Sequence, residues 1–528
     1  MLKSRPMPAF DQQALPDDPV ALKSLLTDLL EQLNRREEQL TNERQKVELL
    51  QEQIRLLLHK RFGASSERDL HSGQQSLFNE AETEADVESA VDETDDTDVV
   101  EVAAHTKKKP GRKPLPAHLP RVVVRHDLAD ADKVCDCGHP LHCIGEDISE
   151  QLDIIPEEIY VIHNILPKYA CRQCDEGGVT TAPVPTRIIP KSNVTPGLLA
   201  YVATAKYVDG LPLHRMEKMF DRLEYELSRR TMANWMIHLA TILDPLLEQL
   251  KIQLLQSHVL LMDETRVQVL DESNSQSYMW VTVSGGTDPP VVCYTYNASR
   301  SGDVPGRILE AFTGVLVTDG YAGYNAVGRG NQVVHAGCMA HVRRKFDEAL
   351  KVQGKQRTGR AQMALSKIRK LYAIEARIKD YAPDDRRKVR QTEARPVMDE
   401  LRIWLDQCIQ DVAPKTALGK ALMYMHREWK RLLPYLDDGH IPIDNNRCEN
   451  AIRPFVIGRK AWLFSKSIRG ANASATIYSI IESAKANHLE PYHYLRYVLT
   501  EIAAGNHDYQ SMLPYTVDPA RIAIRRVG

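Results

Sequence analysis

The sequence predicts a multidomain α/β protein in which helix predominates, and three observations lead there. Two apolar, β-branched-rich runs, HVLLMDETRVQVL from His258 and GVLVTDGY from Gly314, read as buried strands that each carry an Asp, Asp263 and Asp319. Long stretches of helical periodicity lie on either side of them. Cysteine pairs at Cys135/Cys137 and Cys171/Cys174 mark a small unit of another kind. With 528 residues and 43% hydrophobic content, the chain can build several separate cores.

Residues 1–64 are expected to form a coiled-coil helix. Leu26, Leu33, Leu40, Val47 and Ile54 occupy one seam position, and Leu22, Leu29, Leu50 and Leu57 the other, with Arg36 and Glu43 interrupting the second row. The flanking Pro-rich start and acidic stretch offer such a helix nothing to pack on, so a homo-oligomer is expected through this segment. Residues 65–106 read as an acidic, disordered linker: between Glu80 and Glu101 stand eleven Asp or Glu and no Lys or Arg. The net charge of −3 therefore hides a remainder of +8, the balance expected of a surface that meets DNA.

A basic extended arm follows over 107–122. Its KKKPGRKPLP core holds Arg112 and Lys113 on a Pro-stiffened backbone suited to a narrow minor groove. Residues 123–190 are expected to be a zinc-binding domain, with Cys135, Cys137, Cys171 and Cys174 closing a tetrahedral structural Zn²⁺ site. The single residue between the first two cysteines leaves His139 and Cys143 as alternative ligands. Residues 191–252 read as helical, with helix-turn-helix proportions. Ser228 caps the second helix of the pair and sets Arg229, Arg230 and Asn234 near its start, where base edges are read.

The α/β core is expected over 253–345 and 439–485, split by a charged helical insertion at 346–438 that is too long for a loop. A C-terminal helical tail takes 486–528. No apolar stretch approaches the ~20 residues of a membrane span, and MLKSRPMPAF lacks a signal peptide's apolar core, so a cytoplasmic protein without a membrane partner is expected. An odd count of nine Cys fits metal ligation in a reducing compartment better than a disulfide framework.

Two strand-borne Asp carboxylates and a helical Glu449 in DNNRCENAIRP make an oxygen-ligand set suited to Mg²⁺ or Mn²⁺. Such a set is what a ribonuclease H-like core needs for in-line displacement at phosphorus. Each acid also has a plain reading. Asp319 sits in a turn-like TDGY, and Glu449 stands four residues before Arg453, an ordinary surface pair.

The surrounding wording resembles the transposases of the insertion sequence 66 family. The stretches that carry the resemblance are MDETRVQVL, VTDGYAGYN, HAGCMAHVRRKF and IPIDNNRCENAIRPFVIGRKAWLFSKSIRGANASATIYSIIESAK, with GRKPLPAHLPR, IGEDISEQLD, PKYACRQC and LPLHRMEKMF upstream. Met262 and Arg266 depart from the residues usual around the first Asp. The resemblance implies a DNA transposase with an acidic triad Asp263, Asp319 and Glu449, acting on terminal inverted repeats and target DNA, with accessory proteins of the same element as possible partners. Cys338-x-x-His341 follows the second acid. His341 is expected at the rim of the site, with Arg343, Arg344, Arg453, Arg459 and Lys460 among the DNA contacts. A DNA-binding regulator or inactive relic is the alternative function, and a nuclease sharing the same core is a third.

Overall fold

The structure is a computed structural model that describes residues 186–522 apart from 275, 328–332 and 354–358, together with scattered positions between 18 and 50 and at 159–162, 168–169 and 180–181. Arg112, Lys113, Cys135, Cys137, Cys171 and Cys174 lie outside the described residues. The chain divides into two compact units, Ala81–Val184 and the remainder. In the smaller unit, β1 (Lys168–Tyr169) pairs antiparallel with β2 (Thr180–Thr181).

In the larger unit, the described positions from Lys23 to Leu50 are helical, and Leu26, Leu29, Leu33, Leu40, Val47 and Leu50 are all exposed. After residue 186 come α1 (Pro196–Tyr207), α2 (Leu213–Arg222) and α3 (Arg229–Leu255). Pro at the first helical position and Thr195 as cap start α1. Ser228 starts α3, its side chain accepting from Thr231 N at 3.1 Å. Leu239, Leu243, Leu246 and Leu250 recur at helical spacing along α3, and all are fully buried.

A five-stranded mixed sheet forms the core, in the order β5-β4-β3-β6-β7. The strands are β3 (Val259–Val267), β4 (Ser277–Ser284), β5 (Val292–Asn297), β6 (Gly314–Thr318) and β7 (Val333–Gly337). β3 runs antiparallel to β4 and parallel to β6. A short helix, α4 (Asp303–Ile308), lies on the crossover between β5 and β6. Val259, Leu260, Leu261 and Met262 are all fully buried, as a central strand covered on both faces requires.

Helices continue through α5 (Met339–Gln353), α6 (Arg360–Ile378), α7 (Pro383–Val389), a π-helical turn at Arg390–Ala394, α8 (Arg395–Asp411), α9 (Ala417–Glu428) and α10 (Pro434–Asp437). α11 (Asn446–Trp462), α12 (Ile468–Ala486), α13 (Pro491–Ala503) and α14 (Pro519–Ile522) follow. Small residues let α12 approach both α3 and the edge strand β5. Its serines complete that edge: Ser479 Oγ accepts from Tyr294 N at 2.8 Å and Ser483 Oγ from Val292 N at 3.0 Å. Backbone donors that would template a further strand are thereby satisfied. Among the described residues no helix is long and apolar enough to cross a membrane.

Candidate active site

Asp263 is the fifth residue of β3, so strand alternation places it on the face shared with Leu261 and Thr265. α11 passes over this face, where Arg459 Nη1 reaches Thr265 Oγ1 at 3.5 Å. Burial first, and then the charges of Glu264, Asp319 and Glu449, push the Asp263 carboxyl well above the usual carboxylate range. One opposing contact, the Glu264 N–H at 2.8 Å from Oδ1, does not reverse this.

Asp319 follows the last residue of β6, with its Oδ1 accepting from Tyr321 N at 2.9 Å. Burial pushes it up to about 6, helped by the charges of Glu264 and Glu428 and resisted by that N–H and by Arg300. The turn is closely built. Gly320 N donates to the Tyr424 hydroxyl at 3.2 Å, and a Cβ at Gly320 would lie 2.8 Å from the Tyr424 ring. Thr318 Oγ1 and His335 Nε2, 2.7 Å apart, brace the end of β6 against β7.

Glu449 lies in the first turn of α11 and is only 5% exposed. Arg344 of α5 pairs with it, Nη2 donating to Oε1 at 3.1 Å and Oε2 at 2.9 Å. Arg344, expected on flanking phosphates, is therefore turned inward. Arg343 stacks 5.5 Å from the Tyr372 ring. His341 Nδ1 stands 3.5 Å from Glu449 Oε1, and Cys338, His341 and Glu449 bring one donor atom each within 4.8 Å of the others. Buried Cys338 Sγ also accepts from Asn445 N at 3.2 Å.

Asp263, Asp319 and Glu449 are thus gathered at one end of the sheet, close enough for the last two to act on the charge of the first. Asn445 adds an oxygen nearby. It precedes α11 without capping it, because its Nδ2 donates across 183 residues to Met262 O at 3.0 Å. Among the described residues, no group donates to its buried Oδ1. Crowded carboxylates with raised pKa values and an unused carbonyl oxygen form a donor set suited to a hard divalent cation such as Mg²⁺.

Glu264 was not singled out by the sequence, although a second acid inside an apolar strand was the signal available. Its side chain is 2% exposed and takes Arg300 Nε at 2.7 Å on Oε1 and the Tyr324 hydroxyl on Oε2. Arg300 in turn lies 3.9 Å over the Tyr321 ring, whose hydroxyl donates to Arg300 O at 2.6 Å. This network leads back to Asp319 through Tyr321 N. At the start of α3, Arg229, Arg230 and Asn234 are exposed, as is Lys460 on α11.

Comparison with known proteins agrees with this layout. The family described as "Transposase IS66 family" matches residues 191–473, which holds the sheet, the carboxylates and the intervening helices. The chain belongs to the IS66 transposase family. Three further descriptions match in order: "Transposase C of IS166 homeodomain" over 49–124, "zinc-finger binding domain of transposase IS66" over 132–175, and "IS66 C-terminal element" over 479–515. The second of these spans Cys135, Cys137, Cys171 and Cys174, which supports zinc binding there. The chain is 34% identical over 418 residues to uncharacterized protein y4jD of Sinorhizobium fredii (strain NBRC 101917 / NGR234), covering 76% of this chain and 81% of that protein. Uncharacterized protein y4qI of the same organism is 31% identical over 480 residues, covering 86% and 88% respectively.

Proposed function

We propose that this IS66-family protein cuts and joins DNA strands, with Asp263, Asp319 and Glu449 as the acidic triad of a ribonuclease H-like core. One observation carries the reading: the three acids share a site in which burial first, and then the charges of Glu264, Asp319 and Glu449, hold Asp263 well above the usual carboxylate range, a strain that bound cations relieve. Asp263 and Glu449 would hold one divalent ion, and Asp263 and Asp319 a second. Divalent ions held there supply charge stabilisation to both oxygens of an in-line displacement.

The chain's own groups set the geometry. β3 and α11 fix Asp263 and Glu449 on facing elements, and the Tyr321 N–H orients Asp319. In this reading His341, whose side chain is 20% exposed beside Glu449, meets the scissile phosphate. Arg229, Arg230 and Asn234 present a recognition surface at the start of α3, while Arg343, Arg453, Arg459 and Lys460 serve flanking phosphates. The basic arm with Arg112 and Lys113, a zinc site at Cys135, Cys137, Cys171 and Cys174, and an N-terminal coiled coil that pairs two chains complete the assembly. Its place of action is the cytoplasm, on the terminal repeats of its own element, alone or with accessory proteins of that element.

The test uses a supercoiled donor carrying the ends of the encoding element, with Mg²⁺. Asp263→Asn, Asp319→Asn and Glu449→Gln are each expected to lower cleavage by about a thousand-fold or more while the gel shift on the ends persists. Variants that still cut would overturn the triad. A wild-type chain that binds the ends and yields no product would instead make it a DNA-binding regulator.

A further inference from the structure

At the other end of the sheet a second group of donor atoms converges. His258, in the turn between α3 and β3, and the loop after α10 meet through Asp438. His258 Nε2 lies 2.7 Å from Asp438 Oδ2, and His440 Nδ1 lies 2.9 Å from Asp438 Oδ1. The two imidazoles stand edge to face with centroids 5.0 Å apart, and one donor atom from each of the three residues falls within 4.8 Å of the others. This group is separate from the carboxylates described above. Val315 N donates to His258 O at 3.0 Å where β6 begins, whereas Asp319 follows the end of β6. Asp263 is five residues further along β3, about 16 Å at the strand rise.

The loop is held before any ligand arrives. Arg390, 1% exposed, donates from Nη1 to the carbonyls of Tyr435, Asp438 and Ile441 at 2.8, 2.9 and 3.0 Å. Glu375 receives its other nitrogens, at 2.9 Å from Nε and 2.6 Å from Nη2. A buried, fully engaged guanidinium thus fixes the backbone that carries Asp438 and His440. On the other side, Asp288 Oδ2 accepts from His258 N at 2.9 Å. The three side chains open onto a recess of about 370 Å³ whose wall also includes Asp384, Arg387 and Asp437, so a ligand can enter from solvent.

Two imidazole nitrogens and a carboxylate oxygen on a preset frame match the ligand chemistry of Zn²⁺ and its first-row neighbours, with bonds of about 2.0–2.2 Å and water completing the shell. We propose that His258, Asp438 and His440 form a transition-metal site, best suited to Zn²⁺, that clamps the end of the inserted helices to the start of β3. The separations of 2.7 and 2.9 Å open by about half an ångström when the shared protons give way to a cation, which half-exposed rings allow. Occupancy would act at a distance on the acidic site, because the helices so clamped include α9, whose Tyr424 and Glu428 face Gly320 and Asp319.

The experiment compares the full chain with His258→Ala/His440→Ala, both reconstituted with Zn²⁺ or Co²⁺ and desalted. The cysteine and carboxylate sites are common to both proteins and cancel in the difference. The variant is expected to hold about one metal equivalent fewer per chain. The Co²⁺ difference spectrum should contain ligand-field bands without thiolate charge transfer, and the wild type should gain a few degrees in Tm with Zn²⁺ that the variant does not. Asp438→Asn, which keeps the side chain's size, should weaken Zn²⁺ binding at least ten-fold with an unchanged circular dichroism spectrum. Equal metal content and superimposable Co²⁺ spectra in wild type and variant would overturn the proposal. None of these readouts involves DNA cleavage, so they stand or fall apart from the transposase reading.

Discussion

Arg344 Nη2 donates to both carboxylate oxygens of Glu449, and this pair joins α5 to the first turn of α11 beside Asp263. A guanidinium is thus the counter-charge that a cation at Glu449 would have to share or displace. Removing Arg344 takes a doubly hydrogen-bonded guanidinium from a buried carboxylate, at a cost of about 3 kcal/mol. Arg344→Ala is accordingly expected to lower stability in metal-free buffer, and the deficit should narrow as Mg²⁺ is added, because the cation substitutes for the lost charge. Denaturant midpoints with and without Mg²⁺ check this. A deficit that ignores Mg²⁺ means that the ion does not sit at Glu449.

The raised carboxyls give the metal-free protein a characteristic pH response. Asp319 titrates at about 6 when folded against 3.8 ordinarily, so between those values the folded state binds a proton that the unfolded chain has released. Stability therefore falls as pH rises through this window, by on the order of 2–3 kcal/mol for Asp319, and Asp263, raised further, extends the fall upward. Asp319→Asn removes its share of the slope. Saturating Mg²⁺, which favours the ionised carboxylates, should flatten the slope in the wild type. Urea midpoints taken at about pH 4 and about pH 7 measure both effects. The same slope in wild type and Asp319→Asn would show that the carboxyl is not held high by its surroundings.

Glu264 contributes to that response from within the same strand. Its charge raises both Asp263 and Asp319, while its own oxygens are taken by Arg300 and Tyr324. Glu264→Gln deletes the charge and keeps the shape, so both aspartates should titrate lower and the acid limb of the cleavage profile should shift to lower pH. Glu264→Ala also strands the Arg300 guanidinium and the Tyr324 hydroxyl, which costs about 2–4 kcal/mol. A pH–rate profile for the first variant and a thermal melt for the second check the two effects separately. An unmoved acid limb in Glu264→Gln would remove Glu264 from the electrostatics of the site.

What the sequence reveals here follows from the range of the interactions. The strands bearing Asp263 and Asp319 are legible because each is a continuous apolar run, the mark of a strand covered on both faces. The Ser228 cap is equally local, a side chain meeting a backbone three residues on. By contrast, Arg344 meets Glu449 across 105 residues and Asn445 meets Met262 across 183, and no periodicity records such pairings. Asn445 illustrates the difference well. Its position before a helix suggests a cap, yet the nearby β3 carbonyl takes its side chain instead. The Glu264 network was half visible, since a carboxylate inside an apolar strand demands partners, but which partners it finds depends on the sheet's crossover bringing Arg300 and Tyr324 back to β3.

The N-terminal helix supplies the last prediction. Leu26, Leu33 and Leu40 recur every seven residues and are 56%, 55% and 59% exposed, so the stripe finds no cover among the described residues. A second copy of the same helix offers a complementary stripe at matching spacing, which is the condition for knobs-into-holes packing. Burying the remaining apolar surface of these three leucines contributes roughly 4 kcal/mol per chain, about 8 kcal/mol for a pair, equivalent to about a million-fold in association. Leu26→Ser/Leu33→Ser/Leu40→Ser should therefore convert an oligomer into a monomer at micromolar concentration, as read by light scattering on a sizing column. Because the substitutions lie on an exposed face, the sheet and its helices should melt as before. Mg²⁺-dependent nicking at a single element end should persist while joining of two ends is lost. An unchanged mass would mean that the stripe serves some surface other than a second copy of this helix.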